Sequence, residues 1–200
     1  MTCVTPFRVR PALAVGVAVL LLAGAVGCDS GDDIGHNDKG SPTSQATDAP
    51  EVTTDTTLQH VGKALDAVHR ARLKAAVNAV IDPWFDGGFL GDFPRTSWSS
   101  AFSGFTKGAA TDAQHRDLDL LTNAAIADQI QSATATRRRV RLDVFTFKGH
   151  PRGATAHFVL DFTTKGDLEQ AMQVRGDLYL TRSAGEWKIF GYDVDQAVPA

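Results

Sequence analysis

The sequence predicts an α+β domain in which one long N-terminal helix plus short helices pack on a curved four-stranded antiparallel meander. Three observations point there. Between Arg137 and Val198, apolar and polar residues alternate in four runs separated by turn-forming clusters, the period that a half-buried sheet imposes. Upstream, Leu58, Val61, Leu65 and Val68, then Leu73, Val77, Val80, Ile81 and Trp84, recur at helical spacing, which is an apolar stripe. The stretch 58–200 that holds both patterns lies in the single-domain range of about 100 to 150 residues.

The strands follow in order. Val140, Leu142, Val144 and Thr146 alternate with Arg141, Asp143, Phe145 and Phe147. A five-residue turn at 149–153 is expected next, because its glycines and proline cannot continue a strand. That turn would set Val144 against Phe158 and Leu142 against Leu160. A second turn at 165–169 sets Leu160 against Val174 and Phe162 against Met172, so one face stays apolar across three strands. On the reverse face the same register sets His157 opposite Asp177 and Val159 opposite Arg175, with Asp161 diagonal to Arg175. Beyond a turn at Ser183-Ala184-Gly185, the last strand is ambiguous. Trp187 and Ile189 fall on one face, and Phe190, Tyr192 and Val194 on the other.

The chain opens with a basic segment bearing Arg8 and Arg10, then an uncharged run from Ala12 to Val26. A permanent transmembrane helix needs about 20 apolar residues, and this run is shorter, with the make-up of a secretory signal. It ends in Ala25-Val26-Gly27-Cys28. These residues resemble the bacterial lipoprotein signal, in which the cysteine takes a diacylglycerol thioether before cleavage at its amino side. The resemblance implies a signal peptide over 1–27, lipidation at Cys28 and a membrane held through that diacylglyceryl anchor. The family more often has leucine where Ala25 stands. Cys3, the other cysteine, lies in the segment to be removed, leaving Cys28 without a disulfide partner.

Residues 28–57 read as a disordered acidic tether. From Asp29 to Thr57 there are seven acids against Lys39 alone, and almost no large apolar side chain to offset ordering entropy. The remaining 58–200 is close to neutral, so the acidity of the whole chain belongs to the tether. A flexible chain of this length reaches about 30 Å.

Leu58 to Asp82 is expected as the long helix, with Thr56 and Gln59 as a capping box and Pro83 marking its end. Trp84 to Phe105 then holds seven of the sixteen aromatic residues. Thr96 can cap a short helix that carries Trp98, Phe102 and Phe105 on one face, and Phe89 and Phe93 sit among glycines. Two readings stay open for Trp84, Phe89, Phe93, Trp98 and Phe102: rings that close the open end of the core, or an aromatic mouth for an apolar ligand. One or two short helices are expected over 111–133. His115 beside Asp117 makes no metal pattern, and no cofactor motif is present. Arg137-Arg138-Arg139 offers charge for anionic lipid or another polyanion, but reads rather as a solvated strand start, and in a near-neutral domain without a basic-aromatic row nothing suggests nucleic acid as a partner.

A long helix, shorter helices and then an antiparallel meander is an order that resembles the nuclear-transport-factor-2-like superfamily, and Gly185-Glu186-Trp187-Lys188-Ile189 is similar to its late hairpin. The nearest likeness is to membrane-anchored actinobacterial members associated with mammalian-cell-entry lipid transport. The resemblance implies a cone-shaped fold and raises catalysis, since the superfamily includes ketosteroid isomerases and polyketide cyclases. Weak catalytic candidates are His157, Asp161, Asp177 and Tyr179. They share the face opposite the apolar set, where cross-strand charge pairs are ordinary. The sequence therefore favours a lipid-anchored extracytoplasmic binding or accessory module, with an apolar ligand or an envelope protein as partner. A small-molecule enzyme and a structural subunit of a lipid-transport complex are the alternatives.

Overall fold

A computed structural model describes residues 51–61 and 65–198. The signal segment, Cys28 and the tether up to Pro50 lie outside those residues. The sheet has six strands: β1 Asp55–Val61, β2 Gly91–Asp92, β3 Ile130–Phe147, β4 His150–Gly166, β5 Ala171–Ser183 and β6 Glu186–Ala197. Their order is β1-β3-β4-β5-β6, with β2 also on β3. β1 runs parallel to β3, and every other pairing is antiparallel. Among the described residues there are also three helices, α1 Ala67–Gly88, α2 Lys107–His115 and α3 Leu118–Leu121, and two 3₁₀ turns at Ser99–Phe102 and Ala124–Gln129. All of these elements lie between Asp55 and Ala197.

This corrects the expected four-stranded meander beneath one long N-terminal helix, and with it the cone-shaped arrangement drawn from the superfamily resemblance. The sheet is mixed, because the stretch expected to open the helix is a strand. Thr56, Thr57 and Val61 are β-branched and stiff at χ1, a preference that suits a pleated edge. Val61 and Leu58 face inward against Val144 and Leu142. The expected capping box fails for the same reason. Asp66 is the true cap, its side chain accepting from the His69 amide at 2.8 Å.

α1 also runs past its expected stop, through Pro83 to Gly88. An interior proline costs roughly 3 kcal/mol, yet Trp84, Phe85 and Phe89 beyond it are fully buried. Burying one such ring contributes about 2 to 3 kcal/mol, so tertiary packing outweighs the local penalty. α1 lies on the sheet's inner face, where Val140, Leu142, Phe158, Leu160, Phe162, Val174 and Leu178 form the buried floor.

Register shows where pattern reading works. The β4–β5 pairs are Leu160 with Val174, Phe162 with Met172, His157 with Asp177 and Val159 with Arg175, as expected. The β3–β4 register is not: Val144 faces Ala154 and Leu142 faces Ala156. The cause is the turn, which is Lys148-Gly149 alone, with positive φ of 50° and 82°. Two positive φ values make the tight hairpin turn that matches strand twist. Ala184-Gly185 repeats it between β5 and β6, with φ of 51° and 91°.

A β-bulge at Phe190 settles the last strand. Leu180 pairs with Ile189 and Tyr179 with Gly191, so Phe190 is the extra residue. Parity flips there, letting Trp187, Ile189 and Val194 all turn inward while Phe190 stays exposed. A similar shift at Thr136 turns Arg138 inward to a buried site. The arginine run is thus no uniformly solvated strand start: Arg138 pairs with Asp86 at 2.6 Å, and Arg137 with Asp161 at 2.7 Å. Gly176 carries φ of +148°, and a Cβ there would lie 2.0 Å from the Asp193 carbonyl oxygen. Only glycine fits so close an approach of β5 and β6.

Candidate functional site

The layer between α1 and the sheet is closed at one end and open at the other. At the closed end the indole of Trp84 donates to the Leu121 carbonyl at 3.0 Å and stands edge-on to Phe89, Phe105 and Phe158. Asn123 donates to the Phe89 carbonyl at 2.8 Å. Arg95 lies 4.6 Å above the Phe93 ring and donates to the Asp86 and Gly87 carbonyls at 3.1 and 2.9 Å, capping the C-terminus of α1. Burial pushes its guanidinium pKa down. Tyr192 donates to Asp117 at 2.7 Å, and burial with that bond raises its phenol.

The open end is a cleft of about 910 Å³. One wall is α1 from His69 to Val80, with Leu73, Ala76 and Val80, preceded by Leu65; the others are Ser103-Gly104, Gly149 with His150 and Pro151 at the start of β4, and the β5–β6 turn through Trp187. Its deep surface is apolar, since Leu65, Leu73, Val80 and Trp187 are buried. Its rim is charged by Asp66, His69, Arg72, Arg182, Glu186 and Lys188. Some of these are already engaged: His69 with Asp66 at 2.8 Å, Arg182 with the Gly185 carbonyl at 2.6 Å, and Lys188 with Glu186 at 3.8 Å. The His69 amide bond holds the Asp66 carboxyl below its usual value. The cleft lies where α1 starts over the two tight turns, and Trp187 at the start of β6 is the one large ring that lines it.

Against this geometry the five aromatic candidates fall in one place. Trp84, Phe89, Phe93, Trp98 and Phe102 are all buried, and none lines the cleft. The helix expected after Thr96 is a single 3₁₀ turn from Ser99, preceded by Trp98 without a side-chain cap. Phe93 and Trp98 pack on each other at 6.0 Å, beneath Arg95.

Of the weak catalytic candidates, His157 and Asp177 line a groove of about 560 Å³ on the outer face, and Asp161 and Tyr179 do not. His157 Nδ1 is 2.6 Å from Asp177, and its Nε2 is 3.1 Å from Asp143, which also holds His60 at 2.8 Å. Burial alone would push the His157 imidazolium pKa down, but the bonds to the two carboxylates outweigh it and the net shift is upward from 6.5. The His60 bond holds the Asp143 carboxyl below its ordinary value. In its protonated form, with both ring nitrogens donating to carboxylates, His157 has no lone pair to offer a substrate as general base. Asp161 is bound by Arg137 and by Gln173 at 2.9 Å, while Arg175 turns to Asp195 at 3.3 Å. The expected Asp161–Arg175 diagonal is therefore not formed. Tyr179 packs at a tilt against Phe190, with ring centroids 6.3 Å apart. The structure brings His157 and Asp177 together and leaves Asp161 and Tyr179 in separate contacts.

Sequence reading missed the cleft residues and the second carboxylate, Asp143. The cleft had one available signal: Lys148-Gly149 and Ala184-Gly185 are both two-residue hairpin turns, and recognising them brings the two tips level beside the start of α1. No protein-family model matches the chain, and no curated protein matches it. The case for function therefore rests on the cleft and on the chain's own chemistry.

Proposed function

We propose that this chain is a binding module of the cell envelope, anchored through an acylated Cys28, that takes an apolar or amphipathic small molecule in the cleft beside α1. The observation that carries this reading is the cleft itself: about 910 Å³ with a buried apolar depth and a charged rim. Small-molecule sites are concave, mostly apolar and about 300 to 1,000 Å³, with few polar groups to orient the ligand. Arg72 and His150 stand on the rim, suited to the acidic end of an amphiphile. The engaged nitrogens of His157 support binding over catalysis at the outer face.

The test is titration with cis-parinaric acid, a fluorescent fatty acid that accepts energy from Trp187. Saturable binding is expected, and Ala76→Phe, which fills the cleft from α1, should weaken it while leaving the thermal midpoint nearly unchanged. Equal affinity in wild type and Ala76→Phe would sink the cleft reading. The anchor is tested separately. Cys28→Ala should move the protein from the detergent phase to the soluble fraction, and an unchanged distribution overturns acylation without touching the cleft.

A further inference from the structure

Among the described residues, Phe145, Phe147 and Phe190 are exposed at 64%, 53% and 55%. Phe145 and Phe147 belong to one hairpin, two residues apart on the outer face of β3 at its tip. From Val144 to Leu160 the chain has no acidic residue, while Lys148, His150 and Arg152 crowd the turn. Lys148 lays its ammonium 5.5 Å from the Phe147 ring centroid, so the aromatic and cationic groups form one surface. Asp143 on the same strand and Asp66 and Glu186, which line the cleft with Gly149, are each engaged: Asp143 by His60 and His157, Asp66 by His69, and Glu186 by Lys188.

We infer that the β3–β4 hairpin tip is a docking surface for an anionic lipid bilayer, with Phe145 and Phe147 entering the headgroup region and Lys148 and Arg152 meeting lipid phosphates. Amphipathic surfaces bind such membranes through buried apolar area together with electrostatic attraction. Phenylalanine has no polar handle to satisfy and favours the acyl boundary. A protein partner fits less well. A specific interface needs about 800 Å² on each side, and the apolar patch stops one pair below Phe145, at Asp143, with His157 and Asp177 beyond it. A projecting two-residue turn meets a fluid bilayer without needing a complementary flat surface. Gly149 of this turn and His150 and Pro151 at the start of β4 also line the cleft, so docking would turn the cleft mouth toward lipid. The inference goes beyond the cleft reading and stands without it.

The experiment is cosedimentation of residues 29–200, which hold every element of the sheet and its core, with phosphatidylcholine vesicles and with vesicles containing phosphatidylglycerol. Binding only to the anionic vesicles, weakened by salt, is expected. Phe145→Ser with Phe147→Ser should reduce it about tenfold or more, and Lys148→Glu or Arg152→Glu by about fivefold each. Phe190→Ser, an equally exposed ring on another strand, should leave it unchanged. Absence of binding to both vesicles, equal loss with Phe190→Ser, or indifference to the two Phe145 and Phe147 changes would overturn docking. So would a dimer, seen by light scattering, that those same changes dissolve, since a second copy would then be the occupant. Circular dichroism and thermal unfolding of each variant confirm that binding is compared between folded proteins.

Discussion

The two ends of α1 face the same sheet with opposite results. From Ile81 to Phe89 the helix end is sealed by rings: Trp84, Phe85 and Phe89 are fully buried, and Phe158 and Phe162 meet them from β4. From His69 to Val80 the same helix overhangs two tight turns and lines a cleft. The difference lies in what stands opposite. The sealed end has long strands with large inward side chains, backed by the 121–123 segment that bonds Trp84, Phe89 and Gly88. The open end has turns, whose residues are chosen for backbone geometry and not for bulk. Aromatic density in this chain therefore marks the plug, and the opening is lined by Leu, Ala and Val with one tryptophan at the rim of β6.

The largest expected effect falls at the plug. Trp84→Ala removes a ring that touches four others and strands the Leu121 carbonyl, so a loss of about 3 to 5 kcal/mol is expected in chemical denaturation. Leu73→Ala sits where the layer opens. Its void merges with space already open to solvent, and the cost should fall to about 2 kcal/mol, the bottom of the usual range for such truncations. Equal losses at the two positions would mean that the cleft closes in solution, and the contrast between the ends would disappear. Leu73→Ala should in addition alter binding of the fatty-acid probe, which Trp84→Ala, if still folded, should leave in place.

How much of this was legible varies by element. Alternation located β4, β5 and β6 and set the β4–β5 register, because a slip of one residue would have turned Leu160 and Val174 outward. It missed the start of β3, since Ala133 and Ala135 are small and the bulge at Thr136 breaks the period. It misjudged β1 because Leu58 and Val61 continue the spacing of the helix that follows, and a short apolar run does not by itself separate helix from strand. The aromatic cluster was found, but its role was a matter of what packs opposite, which spacing does not encode. His157 with Asp177 followed from register. Asp143 did not, because it depended on the β3–β4 turn, where a five-residue turn was expected and a two-residue turn is present.

The smallest effect belongs to the outer face, which neither end of α1 touches. The His157 pKa is raised above 6.5 by Asp143 and Asp177 against the opposing pull of burial. A group whose folded value is raised contributes stability that is complete below the unfolded value and disappears as pH climbs through the folded one. His157→Gln, which cannot carry the charge, should thus be least stable relative to wild type below pH 6.5 and nearly equal to it well above. The difference should stay under about 1 kcal/mol, because solvent screens a pair this exposed. Denaturation midpoints of both proteins across that range give the answer. An advantage for wild type that grew toward alkaline pH would require a neutral His157 bonded to only one carboxylate. That would free a ring nitrogen and return the outer face to consideration as a site for proton transfer.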